Sequence, residues 1–222
     1  GLSASFRPAP TWEISFRRTA QWGGEGRPES FSNFIDLISG AEDNCDEISC
    51  EADEAGNQLA AIDVEWHLPE RWGSYYLQYV GEDEAGLFPS RGSYQIGVKG
   101  ELDFEGHPWQ LFVEVADTAS SKNSFKERRY NTLYNHNIYK SGYRYHRASL
   151  GSPWDNDSQV LTVGLQTNIN AVEHVDIRMS AGKVNRDSIN GAPTLNGLTF
   201  TGAEFVELDA RRTWQLNFGA IE

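Results

Sequence analysis

Apolar residues recur at every second position through most of this chain, and no competing period survives beside that one. Trp12, Ile14 and Phe16 alternate with Glu13, Ser15 and Arg17; Ala60, Ile62, Val64, Trp66 and Leu68 alternate with Ala61, Asp63, Glu65 and His67. A period of two sends successive side chains to opposite faces of a β-strand. About nine segments fit this template: residues 11–18, 60–68, 74–81, 93–101, 109–116, 159–167, 174–181, 199–208 and 212–219. No amphipathic helix is expected. Charge falls in mid-strand at Asp63, Glu65, Lys99, Glu114, Asp176, Arg178 and Glu204, each opposite an aliphatic stripe. These residues are expected on one face, with the aliphatic stripe on the other.

The connections between these strands alternate in length. Short ones are expected at Pro69–Arg71, Asp103–Pro108, Asn168–Ala171 and Asp209–Arg211, and long ones at 19–58, 82–92, 118–158 and 182–198. Outer-membrane barrels show this asymmetry, with short periplasmic turns and long external loops, and soluble sandwiches have no comparable reason to segregate loop lengths. Trp12, Trp66, Trp72, Trp109 and Trp214 all lie near strand ends on the short-turn side. An interfacial aromatic belt places indoles there; the plainer alternative is that they plug the base of a soluble β-core. The expected fold is therefore all-β, an antiparallel up-and-down transmembrane β-barrel. An odd strand number conflicts with the even count of single-chain bacterial barrels, so residues 1–222 are read as one barrel domain or a portion of a larger one.

Composition narrows the partners. A net charge of −13 opposes nucleic-acid binding, because phosphates call for a basic face. No continuous apolar run is long enough for a membrane-spanning helix, which leaves strand-crossing open. The first ten residues show no basic and apolar leader pattern, so the chain is read as a processed product or a piece of something longer. Cys45 and Cys50 sit in a stretch with seven carboxylates between Glu42 and Glu54. They could close a small disulfide in an oxidising compartment. Neither a further soft ligand nor the D-x-[DN]-x-[DN]-G calcium pattern accompanies them, and no metal or cofactor is expected.

The long loops carry the candidate site. Trp22 and Arg27 lie in Gln21-Trp22-Gly23-Gly24-Glu25-Gly26-Arg27-Pro28, Arg91 follows an acidic turn, and Tyr143, Arg144, Tyr145 and Arg147 interleave aromatic with basic groups. Trp154 sits in Pro153-Trp154-Asp155-Asn156-Asp157-Ser158. Indole and phenol rings can stack on pyranose faces, and guanidinium groups can fork onto uronic carboxylates. The same aromatics could instead pack the loops onto the rim. Glu82, Asp83, Glu84, Asp117, Asp155 and Asp157 could hold sugar hydroxyls or a cation, but acidic groups in a narrow lumen more often pair with loop arginines and order the loops. Abundant carboxylates are no evidence for a glycosidase. G-x-S-x-G, H-E-x-x-H and P-loop patterns are absent, so no enzymatic activity is expected.

At these residues the chain resembles the Wzi-type capsule assembly proteins of Gram-negative bacteria. The matching segments are Arg18-Thr19-Ala20-Gln21-Trp22-Gly23-Gly24-Glu25-Gly26-Arg27-Pro28, Gly56-Asn57-Gln58-Leu59-Ala60, and Gly81-Glu82-Asp83-Glu84-Ala85-Gly86 with Pro89-Ser90. Glu114-Val115-Ala116-Asp117-Thr118 follows, then Tyr139 with Ser141-Gly142-Tyr143-Arg144-Tyr145, and Asp155-Asn156-Asp157-Ser158. The resemblance covers most of the chain. It implies a bacterial outer-membrane barrel, embedded in outer-membrane lipid, that binds capsular polysaccharide at the cell surface as a lectin. It also implies a longer protein with a leading helical segment, to which nothing here corresponds, and the Cys45/Cys50 loop lies outside the pattern. A diffusion porin for small solutes is the alternative, and a soluble β-sandwich lectin the third reading.

The cysteine spacing makes a direct prediction. Thiol titration of the unreduced, denatured protein should find neither Cys45 nor Cys50 free. The bridge should add little to global stability, because so short a ring removes little chain entropy. Two titratable thiols would exclude it.

Overall fold

The computed structural model describes residues 1–23, 29–39, 56–69, 73–82, 91–104, 106–122, 127–136, 139, 141–146, 148–170, 173–186, 193–194, 198–199 and 203–214. In chain order the elements are β1 (Leu2–Ala9), β2 (Trp12–Trp22), α1 (Phe31–Ser39), β3 (Gly56–His67), β4 (Ser74–Glu82), β5 (Gly92–Phe104) and β6 (His107–Lys122). Then come β7 (Glu127–Arg129), β8 (Arg144–Tyr145), β9 (Ala148–Ser149), β10 (Gln159–Asn170) and β11 (Glu173–Val184). The last are β12 (Pro193–Thr194), β13 (Leu198–Thr199) and β14 (Ala203–Trp214). The nine long strands form one antiparallel up-and-down sheet in the order β1-β2-β3-β4-β5-β6-β10-β11-β14, and β7 adds to the end of β6. Among the described residues β1 and β14 are the two outer edges of this sheet.

Register separates the two faces. One row runs Trp12, Trp66, Tyr75, Val98, Val113, Val163, Met179 and Leu208 across successive strands, and a second runs Phe6, Ile14, Val64, Leu77, Ile96, Val115 and Leu161. Large apolar side chains in these rows stay open to the surroundings, Ile96 at 49 % and Met179 at 52 %. Ile62, Val113 and Val163 are half-exposed on this same face rather than enclosed in a dry centre. The opposite face carries Ser15, Asp63, Gln78 and Gln95 in one row, and Glu13, Glu65, Tyr76, Gly97, Glu114, Thr162 and Ser180 in the next. Apolar surface on this scale, left uncovered by its own chain, is unlike the outside of a soluble monomer.

The alternation in connection length is as expected. β1–β2, β3–β4, β5–β6 and β10–β11 join by short turns at one end, and the long connections gather at the other. Near the short-turn end Trp12 stacks on Trp66, and Trp66 on Tyr75, with ring centroids 5.8 Å apart in both pairs. Trp109 is half-buried; Trp72 and the side chain of Trp214 lie outside the described residues.

Four sequence expectations change. Residues 199–208 and 212–219 are not two strands about a turn at Asp209–Arg211: β14 runs straight through it, and β13 is a separate short element. Asp209 lies opposite Arg178 and Arg211 opposite Asp176, so the charges that read as a turn are cross-strand rungs of complementary sign. A strand before Trp12 went unread because Pro8 breaks the pattern; on the edge strand β1, a missing N–H is tolerated, and the β1–β2 register shifts between Phe6 and Ala9. A nine-residue helix, α1, also occurs within the expected loop, started by Ser30, whose Oγ accepts from the Asn33 amide at 3.2 Å. Finally, Glu204 pairs in register with Lys183, in the alternation of Met179 and Leu208 rather than that of the other mid-strand charges.

Two glycines shape the polar face. Tyr76 of β4 lies across Gly97 of β5 and donates its hydroxyl to Glu114 of β6 at 2.9 Å. Phe112 of β6 lies across Gly164 of β10, and the guanidinium of Arg178 on β11 sits 5.7 Å from its ring centroid. A Cβ at either glycine would overlap the ring above it. Gly97→Ala should therefore destabilise the folded protein by about 1–3 kcal/mol, the usual cost of overpacking. Val113→Arg should impair insertion into lipid by about 2–4 kcal/mol near the midplane, and Glu114→Gln should insert normally. Urea titration of folding into lipid vesicles checks all three.

Candidate functional site

The long connection between β6 and β10 folds into a compact unit around one buried ion pair. Arg144, at the start of the β8–β9 hairpin, is 8 % exposed. Its Nε donates to Asp155 Oδ2 at 2.7 Å and its Nη2 to Asp155 Oδ1 at 2.5 Å, a two-pronged fork on a fully buried carboxylate. Nη2 also reaches Asn156 Oδ1 at 3.0 Å, while Nη1 donates to the Tyr134 carbonyl at 3.1 Å and to Asn135 Oδ1 at 2.8 Å. Every nitrogen of the guanidinium is thus engaged. Gly142, at φ +63°, lies so close that a Cβ would overlap Arg144 and the Tyr134 carbonyl. Tyr134 packs with Leu133 and with Leu59 of β3, and its ring stacks on Tyr143 at 6.2 Å. Its hydroxyl accepts from the Ser152 amide at 3.1 Å, and burial pushes its pKa up to about 12, so it stays protonated.

A second set of pairs binds this unit to the sheet. Buried Asp117 of β6 holds Arg128 of β7 on one oxygen and Arg186, after β11, on the other. Asp157 accepts the Asn131 amide on Oδ2 at 2.8 Å, and its carbonyl accepts from Arg186 Nε at 2.9 Å. The Ser158 amide donates to Thr118 Oγ1 at 2.8 Å, and the Thr118 amide to the Ser158 carbonyl at 2.9 Å. Between these ties the chain drives Trp154 against Ala116 and Val160, on the polar face of β6 and β10.

Trp154 and Pro153 close one side of a cavity of about 630 Å³ on that face. Tyr76, Phe112 and Trp154 supply rings to its wall, Gln95, Gln110 and Gln166 supply amides, and Thr162 and Ser180 supply hydroxyls. Lys99, Arg178, Arg211 and Glu114 are its charged members. A second cavity, of about 420 Å³, shares Lys99 and Gln110 with the first and extends toward the short-turn end along Glu65, His67 and Ser74. Aromatic faces interleaved with amides, hydroxyls and one carboxylate suit a polar, hydroxyl-bearing ring.

The residues singled out from sequence are placed unevenly. Arg144, Trp154, Asp117, Asp155 and Asp157 come together in the packed loop unit. Tyr143 is half-buried beside them, and Tyr145 is 67 % exposed with its ring edge-on to His146. Trp22, at the end of β2, is exposed and tilted against Phe34 of α1 at 5.4 Å. Arg91 is half-exposed just before β5. Arg27, Arg147, Asp83, Glu84, Cys45 and Cys50 lie outside the described residues, as does the side chain of Glu82. The strand residues of the cavity, Tyr76, Gln95, Phe112, Glu114, Gln166 and Arg178, do not stand out as a site in the sequence. Their available signal was Gly97 and Gly164 standing inside otherwise regular strands, each a place where something must lie flat on the backbone.

The family model described as capsule assembly protein Wzi matches residues 1–220. The fold superposes with a TM-score of 0.67, at 27% identity, on a solved structure described as Wzi, an outer membrane protein involved in group 1 capsule assembly in Escherichia coli and a carbohydrate-binding β-barrel. That match covers 95% of this chain and 47% of the other. The sheet is accordingly of the Wzi β-barrel type. A curated relative from Klebsiella pneumoniae, described as an uncharacterized 55.8 kDa protein in the cps region, is 37% identical over 120 residues, 53% of this chain and 23% of its own length. The chain thus spans half or less of the proteins it matches, and it belongs to the Wzi capsule assembly protein family.

Proposed function

We propose that this chain forms part of a bacterial outer-membrane β-barrel that holds capsular polysaccharide at the cell surface and helps attach or assemble the capsule, as a lectin without catalytic chemistry. The observation that carries this reading is the cavity on the polar face, walled by strand residues and closed by Trp154. The description of the Escherichia coli relative as a carbohydrate-binding outer-membrane barrel supports it. The uncovered apolar face is the surface for outer-membrane lipid, and the stacked Trp12, Trp66 and Tyr75 lie toward its periplasmic boundary. The long loops then face outward, where a polymer arrives.

Within this reading the acidic residues order the loops. Asp155 fixes Arg144, and Asp117 gathers Arg128 and Arg186. Arg144 serves the site through Asp155 and not by touching polymer, since its nitrogens are already used. Trp22, Arg91 and Tyr145 retain open surface for direct contact. A loop unit packed over the polar face favours this function over free diffusion of small solutes.

Arg144→Ala leaves a buried carboxylate unpaired, a loss of about 3–5 kcal/mol confined to the loop unit. Combined with Trp154→Ala, it should release capsule into the medium while the protein still inserts at normal abundance. Tyr145→Ala should show a smaller loss of cell-attached capsule. Single-channel recording of the double variant should show higher conductance than the unaltered protein. Unchanged attached capsule at equal surface abundance would count against the site.

A further inference from the structure

We infer that the cavity beneath Trp154 is a subsite for an uncharged sugar residue, selected by Glu114, that turns uronic acid residues away. This rests on the polysaccharide-binding reading and narrows its ligand class. Three cations line the wall, and two carboxylates, Glu65 and Asp176, stand against them. The Lys99 ammonium lies 2.8 Å from Glu65. Arg178 donates from Nε and Nη2 to the two oxygens of Asp176 at 2.9 and 2.7 Å. Arg211 stands opposite that same Asp176 in the β11–β14 register. A sugar carboxylate approaching any of them would compete with a carboxylate already in place.

Glu114 is placed differently. Its Oε2 accepts from the Tyr76 hydroxyl and the Gln95 amide, both neutral groups, and among the described residues no cation forms an ion pair with it. Among the described residues no donor reaches its Oε1. A carboxylate of this kind repels an arriving anion and forms a strong, charge-assisted hydrogen bond with a hydroxyl. The surrounding Thr162, Ser180, Gln110 and Gln166 can serve further hydroxyls, while Phe112 and Trp154 offer flat apolar faces. About 630 Å³ lies within the range of roughly 300–1,000 Å³ found for small-ligand sites. Gly97 is the positioning residue, because it lets Tyr76 cross β5 and hold Glu114.

The test is titration of tryptophan fluorescence in the intact, detergent-solubilised protein. The probes are neutral gluco-, manno- and galacto-oligosaccharides, set against oligogalacturonate and oligoglucuronate of equal length. At least one neutral probe should bind more tightly than either acidic one, and salt should narrow the gap by screening Glu114. Glu114→Gln should weaken the neutral probe about tenfold, as for loss of a hydrogen bond to a charged group, and narrow the gap as well. Glu114→Asp keeps the charge but shortens the reach, so it should weaken the neutral probe and still reject the acidic ones. Tighter binding of an acidic probe, or a neutral affinity untouched by Glu114→Gln, overturns the inference. If no oligosaccharide binds while purified capsular polysaccharide does, the subsite falls alone. If the polysaccharide does not bind either, the broader reading falls with it.

Discussion

The cross-strand register between β2 and β11 is the constraint on which the rest depends. With a side-chain period of two, slipping any strand by one residue would exchange its faces: Glu114 would enter the row of Val113 and Val163, and Val115 the row of Tyr76 and Thr162. The irregularities that do occur sit at strand ends, between Phe6 and Ala9, Gly92 and Tyr94, and Asn168 and Asn170. In mid-sheet the pairing is unbroken. That is also what brings Tyr76, Gly97 and Glu114 onto one line across three strands. A flat ring can cross a strand only where the intervening residue lacks a Cβ, so register and glycine position act together. The paired backbone satisfies its own N–H and C=O groups, as the proposed contact with lipid would require because hydrocarbon offers no partner.

The loop unit solves a different problem. This connection buries Leu133, Tyr134 and Trp154, yet several of its residues occupy left-handed conformations: Asn131, Tyr134, Asp155 and Asp157 all have φ between 54° and 64°. Asn and Asp adopt that region readily, whereas Tyr134 does so at a cost. The Arg144 fork holds that conformation in place, its buried charges compensated by carbonyls and amides as well as by Asp155. Buried ion pairs often add little net stability, but removing one partner is expensive. The arrangement therefore specifies one loop conformation more than it raises the overall free energy. Trp154 inherits its place on the sheet from that specification.

Much of this was legible in the sequence for physical reasons that can be named. Alternation reports a two-faced strand directly, so residues such as Ile62 and Glu114 could be assigned to opposite faces without coordinates. Connection length reports the two ends of the sheet. The β14 strand was split because a run of charges looks like a turn until its partners, Arg178 and Asp176, are known to stand opposite. The α1 helix carries Phe31, Phe34, Ile35 and Ile38 at helical spacing, but over only nine residues inside a long connection, and Pro8 hid β1. In the candidate site, residue type pointed to the loop packed over the cavity but not to the packing of each residue. Arg144 and Tyr145 are neighbours with similar claims on a sugar, and only packing separates a saturated guanidinium from an exposed ring. The cavity wall is hidden in the sequence because its strand members come from six strands, and no local window contains them together.

The division of labour between strands and loop bears on how an acidic chain could retain a polymer. With a net charge of −13 the surface offers no long-range attraction to an acidic polysaccharide. Binding of the proposed kind has to come from short-range contacts: a ring on an aromatic face, a hydroxyl on a carboxylate. Each acts only at contact and loses little to salt. A repeating polymer presents the same neutral residue many times, so engagement of one subsite raises the local concentration of the next repeat at neighbouring copies. Retention then depends on how many subsites are in the competent shape at once. That shape is set at a distance, by the Arg144–Asp155 fork holding Trp154 over the cavity and by Gly97 letting Tyr76 hold Glu114. Neither Arg144 nor Gly97 needs to touch the sugar for its loss to reduce binding.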